Sequence, residues 1–256
     1  QCPNQYLFGG QMIVAPVTIK SEAEGMSRTE VWLPQGTWTD FFTGEEYAGG
    51  RKITLVRWLE EMPVLMKEGG FFVLDDRSYT NDVENPDHLK VYVTNGDGSY
   101  TLHEDQDENR IDTTFVSKAG EGVQTVLFFC NAEGKYTVSR KYKFVFSSIL
   151  TGEVTVLADG AAYPASVDDN GRLSVTLEGT RKNIRYEISV RYEVQADAKR
   201  KETLRRIITK LQMDNNQKNT FYEKLLAADE TAYLDLVEQM PISRIAKDKM
   251  LEVMHI

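Results

Sequence analysis

Cysteine is nearly missing from this chain: two in 256 residues, Cys2 and Cys130. That excludes a disulfide framework, and neither cysteine stands at zinc-ligand spacing from another Cys or His. Cys130 closes the run Val126–Cys130 and reads as a buried free thiol. The same run is the longest wholly apolar stretch, far below the ~20 residues of a membrane-spanning helix, so no membrane partner is expected. No Asn-x-Ser/Thr acceptor occurs, and Gln1-Cys2-Pro3-Asn4 is not a secretory leader, having neither a charged start nor an apolar core. An initiator Met is lacking too, so the expectation is a piece of a longer protein, of cytoplasmic type. Positive charge is also short, with 30 Lys+Arg against 39 Asp+Glu. From Asp197 onward 11 basic residues face 10 acidic ones, against 19 and 29 in the first 196. So acidic a body is unsuited to phosphate backbones, and no nucleic-acid partner is expected.

What the chain has in quantity is short strands. Met12–Val17, Glu30–Pro34, Lys52–Val56, Pro63–Met66 and Phe71–Leu74 are apolar or alternating runs of strand length, separated by Gly and Pro. After the polar stretch at residues 75–88, Leu89–Val93 alternates with period two. Further strands are expected at Ser99–Leu102, Thr113–Ser117, Val123–Cys130, Tyr142–Phe146, Glu153–Leu157, Leu173–Leu177 and Arg185–Val190, with hairpin turns at Asp159-Gly160 and Asn170-Gly171. Strands this short and close argue two antiparallel β-sandwich domains, at residues 1–76 and 86–195. From Asp197 glycine disappears and the apolar spacing becomes helical. Leu204, Ile207, Ile208 and Leu211 form one stripe, and later helices are marked by Leu225-Leu226, by Leu234, Val237 and Met240, and by the Ser243 cap. The fold class expected is mainly all-β, with a small α-helical extension at residues 197–256.

One stretch is more distinctive than the rest: Gly36–Gly50, with Trp38, Phe41, Phe42 and Tyr47 spaced by Thr-Asp and Thr-Gly-Glu-Glu. Aromatic and β-branched residues suit a pleated surface, and Gly44 frees the turn, so a β-hairpin is expected. Together with Gln5–Gly9, Met12–Val17, Val31–Pro34 and Met62–Gly70, it resembles the C-terminal region of glycoside hydrolase family 31, the α-glucosidase and α-xylosidase family. Tyr100–Asp105 resembles that family's distal acidic stretch. The likeness covers roughly residues 5–192, with Lys67, Val73, His103 and Gln106 departing from the usual Arg, Pro, Tyr and Asp. It implies a retaining α-glycosidase whose two aspartates lie on a (β/α)8 barrel outside this chain. Their motifs do not occur here. On that reading the chain contributes no catalytic residue, no cofactor and no metal site. Its partners would be the barrel of the same polypeptide and, through it, a carbohydrate substrate. A homo-oligomer through the helical tail is a further expectation.

Other residues invite chemical readings. Trp32, Trp38, Phe41, Phe42, Tyr47 and Trp58 could stack on sugar rings as a carbohydrate-binding module, but alternating aromatics more often fill a core or seam. Glu104-Asp105-Gln106-Asp107-Glu108 offers carboxylates for Ca²⁺, without the glycine of an EF-hand loop, and is expected to be solvated. His88, His103 and His255 form no ligand pattern. Lys199, Arg200, Lys201, Arg205, Arg206 and Lys210 make the first tail helix basic, which suits docking on the acidic body. Asp40, Asp75 and Asp76 are read as turn aspartates, not a catalytic pair.

Overall fold

The structure is a computed structural model and describes residues 2–77, 85–106, 109–132, 139–150, 155–158, 161–167, 172–180, 182–192 and 196–254. The turns at Asp159-Gly160 and Asn170-Gly171, residues Asp107 and Glu108, and His255 lie outside them.

The first part holds β1 (Tyr6–Phe8), β2 (Met12–Val14), β3 (Met26–Leu33), β4 (Thr37–Asp40), β5 (Glu46–Ala48), β6 (Arg51–Trp58) and β7 (Val64–Lys67). Five of them form one sheet in the order β1-β2-β7-β4-β5, and β3 pairs with β6 in a second. Between the two lie Ile13, Ala15, Val31, Leu33, Trp38, Tyr47, Leu55 and Leu65. The Gly36–Gly50 stretch is the expected hairpin, β4 against β5 with Trp38 opposite Tyr47. Gly44 turns it at φ +73° and Gly50 leaves it at φ +74°, a region open to glycine but costly for other residues. A Cβ on Gly49 would stand 1.8 Å from the Pro34 carbonyl oxygen, so only glycine lets the hairpin close onto β3.

The second part adds β8 (Phe71–Asp75), β9 (His88–Val93), β10 (Gly98–Gln106), β11 (Asn109–Gly120), β12 (Val123–Ala132), β13 (Arg140–Leu150), β14 (Thr155–Ala158), β15 (Ala161–Ala162), β16 (Ser166–Val167), β17 (Arg172–Thr180) and β18 (Arg185–Arg191). Its sheets run β10-β11-β12-β18-β14-β15 and β16-β17-β13-β9-β8. A core including Phe71, Phe115, Phe128, Tyr142 and Phe144 fills the space between them. One pair departs from the antiparallel rule: β9 and β13 run parallel. Parallel neighbours need a long crossover, and β10, β11 and β12 in the facing sheet supply it.

Two details move the junction between the sandwiches. The sequence placed Phe71–Leu74 in the first of them, yet β8 pairs with β9 along Phe71 to Asp75. The polar stretch after Leu74 therefore joins two strands of one sheet, and the crossing falls at Gly69-Gly70. Here Thr94 accepts a hydrogen bond from Gly70 N (2.9 Å) and donates to Lys67 O (2.6 Å). Gly69 lies against the Asp97 backbone, too close for a Cβ. Across the seam, Met12, Val14, Val64 and Met66 of the first sandwich meet Tyr92 and Val145 of the second.

The last part is four helices: α1 (Ala196–Lys210), α2 (Asn215–Ala227), α3 (Glu230–Gln239) and α4 (Arg244–Glu252). Asp214, Asp229 and Ser243 cap the last three by accepting from backbone N–H groups. The expected stripe Leu204, Ile207, Ile208 and Leu211 is buried. It packs with Leu225, Tyr233, Val237, Met240, Ile245 and Met250 over Met26, Val56 and Trp58 of the β3–β6 sheet. Among the described residues no helix is long and apolar enough to cross a membrane.

Candidate functional site

The chemistry concentrates where α4 meets the hairpin. Arg57 leaves the inner face of β6 with its side chain 1% exposed. One guanidinium nitrogen donates to Asp40 Oδ2 at 2.8 Å, the other to Glu252 Oε1 at 2.7 Å and to Val56 O at 2.8 Å. Tyr47 OH donates to the same Glu252 oxygen at 3.2 Å. The second oxygen of Asp40 accepts from Phe42 N (2.9 Å) and Thr43 N (3.0 Å), closing the hairpin turn.

Val56 shows what α4 adds. In a two-stranded sheet, alternate N–H and C=O groups of each strand point outward without a partner strand. The Val56 N–H donates to Glu252 Oε2 (3.0 Å), and its carbonyl accepts from Lys249 Nζ (2.8 Å). Lys249 and Glu252, one helical turn apart and 3.2 Å from each other, replace the missing strand with a donor and an acceptor. Outside this point, Arg28 donates to Asp248 (Nε, 3.1 Å), Ser243 Oγ to Glu24 (2.9 Å), and Thr203 to Glu45.

Burial and charge oppose each other in this cluster. Burial raises the acidity cost of Glu252, but Arg57 and then Lys249 outweigh it and hold the carboxyl below its ordinary value. Burial, followed by the Arg57 charge, lowers Lys249. Burial lowers Arg57 too, but Glu252, Tyr47 and Asp40 drive it well above the usual range. A carboxyl depressed on folding adds stability that is complete above its unfolded pKa and lost as pH falls through the folded one. The Glu252 contribution should therefore be flat above its ordinary 4.5 and disappear below it. Helical circular dichroism followed through acid titration checks this: wild type should lose cooperativity as pH drops below that range, and Glu252→Gln should flatten the dependence.

The residues singled out from sequence scatter among different roles. Trp38 and Tyr47 are core residues, Trp38 donating its indole N–H to Pro34 O at 2.9 Å. Phe41 lies in the seam, its ring 4.7 Å from Tyr92 and 5.7 Å from Phe72. Trp58 is buried under the tail, with Lys210 Nζ 4.5 Å above its ring. Only Trp32 and Phe42 of the set are about half exposed. The acidic stretch differs from expectation at Glu104. Tyr100, Leu102 and Glu104 share the inward face of β10, so this carboxylate is buried, and Arg140 binds it bidentately at 2.6 and 2.9 Å. Asp105 is exposed, and His103 pairs with Asp112 at 2.7 Å on the surface. His88 is exposed.

Basic tail residues divide as well. Lys210 reaches Glu60 (2.7 Å) and Glu61 (3.2 Å) of the body, as the docking reading anticipates, whereas Arg200 donates inside the bundle to Leu225 O and Ala228 O. Lys201 and Arg205 are exposed and Arg206 half-buried. Asp75 is bound by Arg77 (2.8 Å), and the Asp76 N–H donates to His88 O. Among the described residues no three His, Cys, Asp or Glu side chains come together to hold a metal.

Sequence reasoning missed Arg57, Lys249 and Glu252. Arg57 interrupts the apolar strand Leu55-Val56-Arg57-Trp58, and Lys249 sits four residues after Ile245 on the buried stripe of α4. Charge at an apolar position was the available signal.

Geometry of this kind defines a class: a β-sandwich unit whose buried charges serve its own packing. The comparisons make it particular. Residues 1–71 match the family model of the glycosyl hydrolase family 31 C-terminal domain, the family that the hairpin and its neighbours resemble. Alpha-glucosidase 2 of Bacillus thermoamyloliquefaciens is 27% identical over 184 residues, 66% of this chain and 22% of that protein. The alpha-xylosidase of Saccharolobus solfataricus is 33% identical over 103 residues, 40% of this chain and 14% of that protein. The GH31 dextranase of Flavobacterium johnsoniae shares the fold with a TM-score of 0.61 and 20% identity over 73% of this chain and 26% of its own. The chain thus spans about a quarter or less of the length of each.

Proposed function

We propose that this chain is the non-catalytic C-terminal accessory region of a retaining α-glycosidase. The full-length protein would hydrolyse O-glycosyl bonds in α-glucosides or α-xylosides with carboxylates on a (β/α)8 barrel, and these sandwiches would brace that barrel. The carrying observation is the family match over residues 1–71 in a chain whose curated relatives are several times longer. The carboxylates support it. Retaining hydrolysis needs two carboxyl groups ~5–5.5 Å apart, one nucleophile and one acid/base. Here the buried carboxylates Asp40, Glu252 and Glu104 are each engaged by an arginine, which occupies the oxygens a nucleophile or acid/base would need. Trp38, Tyr47 and Trp58 are enclosed, so these three offer no face to a sugar ring.

The test is direct. The isolated 256-residue chain, offered chromogenic α-glucosides and α-xylosides, should release no chromophore above the buffer rate, while the full-length polypeptide should turn over one of them. Hydrolysis by the isolated chain would refute the proposal.

A further inference from the structure

The turn between β9 and β10 runs Thr94-Asn95-Gly96-Asp97. In an Asn-Gly pair the asparagine side chain is open to attack by its own backbone, because glycine places no Cβ in the path of the following amide nitrogen. Sequence alone does not single this pair out, since Asn170-Gly171 has the same chemistry. Its surroundings do.

The side-chain carbonyl of Asn95 already meets an acid: Tyr192 OH donates to its Oδ1 at 3.2 Å. Burial, and then the negative charge of Glu46, raises the Tyr192 phenol above its ordinary value, so the proton stays on that donor. A donor held against an oxygen where negative charge is to develop is the arrangement of an oxyanion hole. The attacking group is unoccupied as well. Gly96 N–H makes no hydrogen bond among the described residues, although Thr94 N and Gly69 N nearby both donate. The main chain around it is held by the seam between the sandwiches. Gly69 N donates to Asn95 O at 3.0 Å, and a Cβ on Gly96, at φ +125°, would stand 2.8 Å from Gly69 N.

We infer that Asn95 is a self-modification site, converting through a cyclic imide to aspartate and isoaspartate. Solvent base takes the Gly96 N–H proton, and the nitrogen forms a bond to Asn95 Cγ. Charge passes to Oδ1 beneath the Tyr192 hydroxyl, then the Cγ–Nδ2 bond breaks and the nitrogen leaves, protonated, as ammonia. Water opens the imide: cleavage at Cγ gives aspartate, and cleavage at the main-chain carbonyl gives isoaspartate. The sum is asparagine plus water to the acid plus ammonia, with no change of oxidation state. Isoaspartate carries the main chain through Cγ and lengthens it by a methylene. Gly96 and Gly98 then cannot both keep their close approach to Gly69, where a Cβ on Gly98 would lie 2.3 Å from the Gly69 oxygen. Aspartate adds a negative charge to a tyrosine that already feels Glu46. Either product loosens the crossing between the sandwiches, so the site times that joint.

Peptide mapping by mass spectrometry tests this on the chain aged in mildly alkaline buffer at body temperature, with isoaspartate counted by enzymatic methylation. The folded chain should convert Asn95 at least as fast as the same chain unfolded in urea. Tyr192→Phe keeps the ring and removes the donor; it should slow the folded chain roughly fivefold, the worth of one ordinary hydrogen bond, and leave the unfolded rate unchanged. Asn95→Gln should abolish both products at this position. Converted molecules, separated by ion exchange, should melt below unconverted ones. Asn95 left intact in the folded chain while the unfolded chain converts would overturn the inference. So would a Tyr192→Phe rate equal to or above that of wild type.

Discussion

Deleting residues 196–256 is expected to leave a protein that self-associates. The deletion uncovers Met26, Val56 and Trp58, now 0%, 1% and 7% exposed, and each such side chain contributes about 1.5–3 kcal/mol when buried. It also frees the Val56 N–H and takes the Lys249 donor from its C=O on an edge strand, a ready template for pairing with another β6. Light scattering coupled to gel filtration should show higher oligomers, or loss of soluble protein, for the truncated chain. A truncated chain that stays monomeric and melts like the full one would show that the helices are a passenger. This outcome differs from a helical tail that holds an oligomer together, whose removal would lower the mass.

The second large effect belongs to Arg57. Replacing it by Ala leaves Asp40 enclosed without a counter-charge and Glu252 with Lys249 alone, and breaking a buried pair from one side costs about 3–5 kcal/mol. Urea unfolding should lose that amount. Arg57→Lys should fall between, because a single ammonium cannot reach Asp40, Glu252 and Val56 O together as the planar fork does. Glu252→Gln should cost less, about 1–3 kcal/mol, since an amide oxygen can still accept. A loss under about 1 kcal/mol for Arg57→Ala would mean the cluster is solvated and weak, like a surface pair.

Much of the fold was legible because its signals are local. Alternation in Leu89–Val93, the stripe at Leu204, Ile207, Ile208 and Leu211, and the aromatic hairpin at Gly36–Gly50 each specify their own element. What local pattern cannot state is which strand a strand pairs with. Phe71–Leu74 reads the same whether it closes the first sandwich or opens the second, and only long-range packing of Phe71 against Phe115 decides. The parallel β9–β13 pair was hidden for the same reason. At the candidate site, Asp40 read as an ordinary turn aspartate, which one of its oxygens is. Its other oxygen belongs to Arg57, 17 residues on, and through it to Glu252. A three-body charge cluster assembled from a turn, a strand and a distant helix leaves only single misplaced charges in the sequence.

That assembly has a consequence in time. Glu252 follows Val56 by 196 residues. At ribosomal speeds of roughly 5–20 residues per second, the edge of β6 waits on the order of 10–40 s after its own synthesis before α4 can cover it. During that interval the nascent chain carries a bare strand and an arginine with only one of its two carboxylates. Of the elements that meet in this cluster, those made first are the last to be finished, and a holding chaperone has its longest opportunity there.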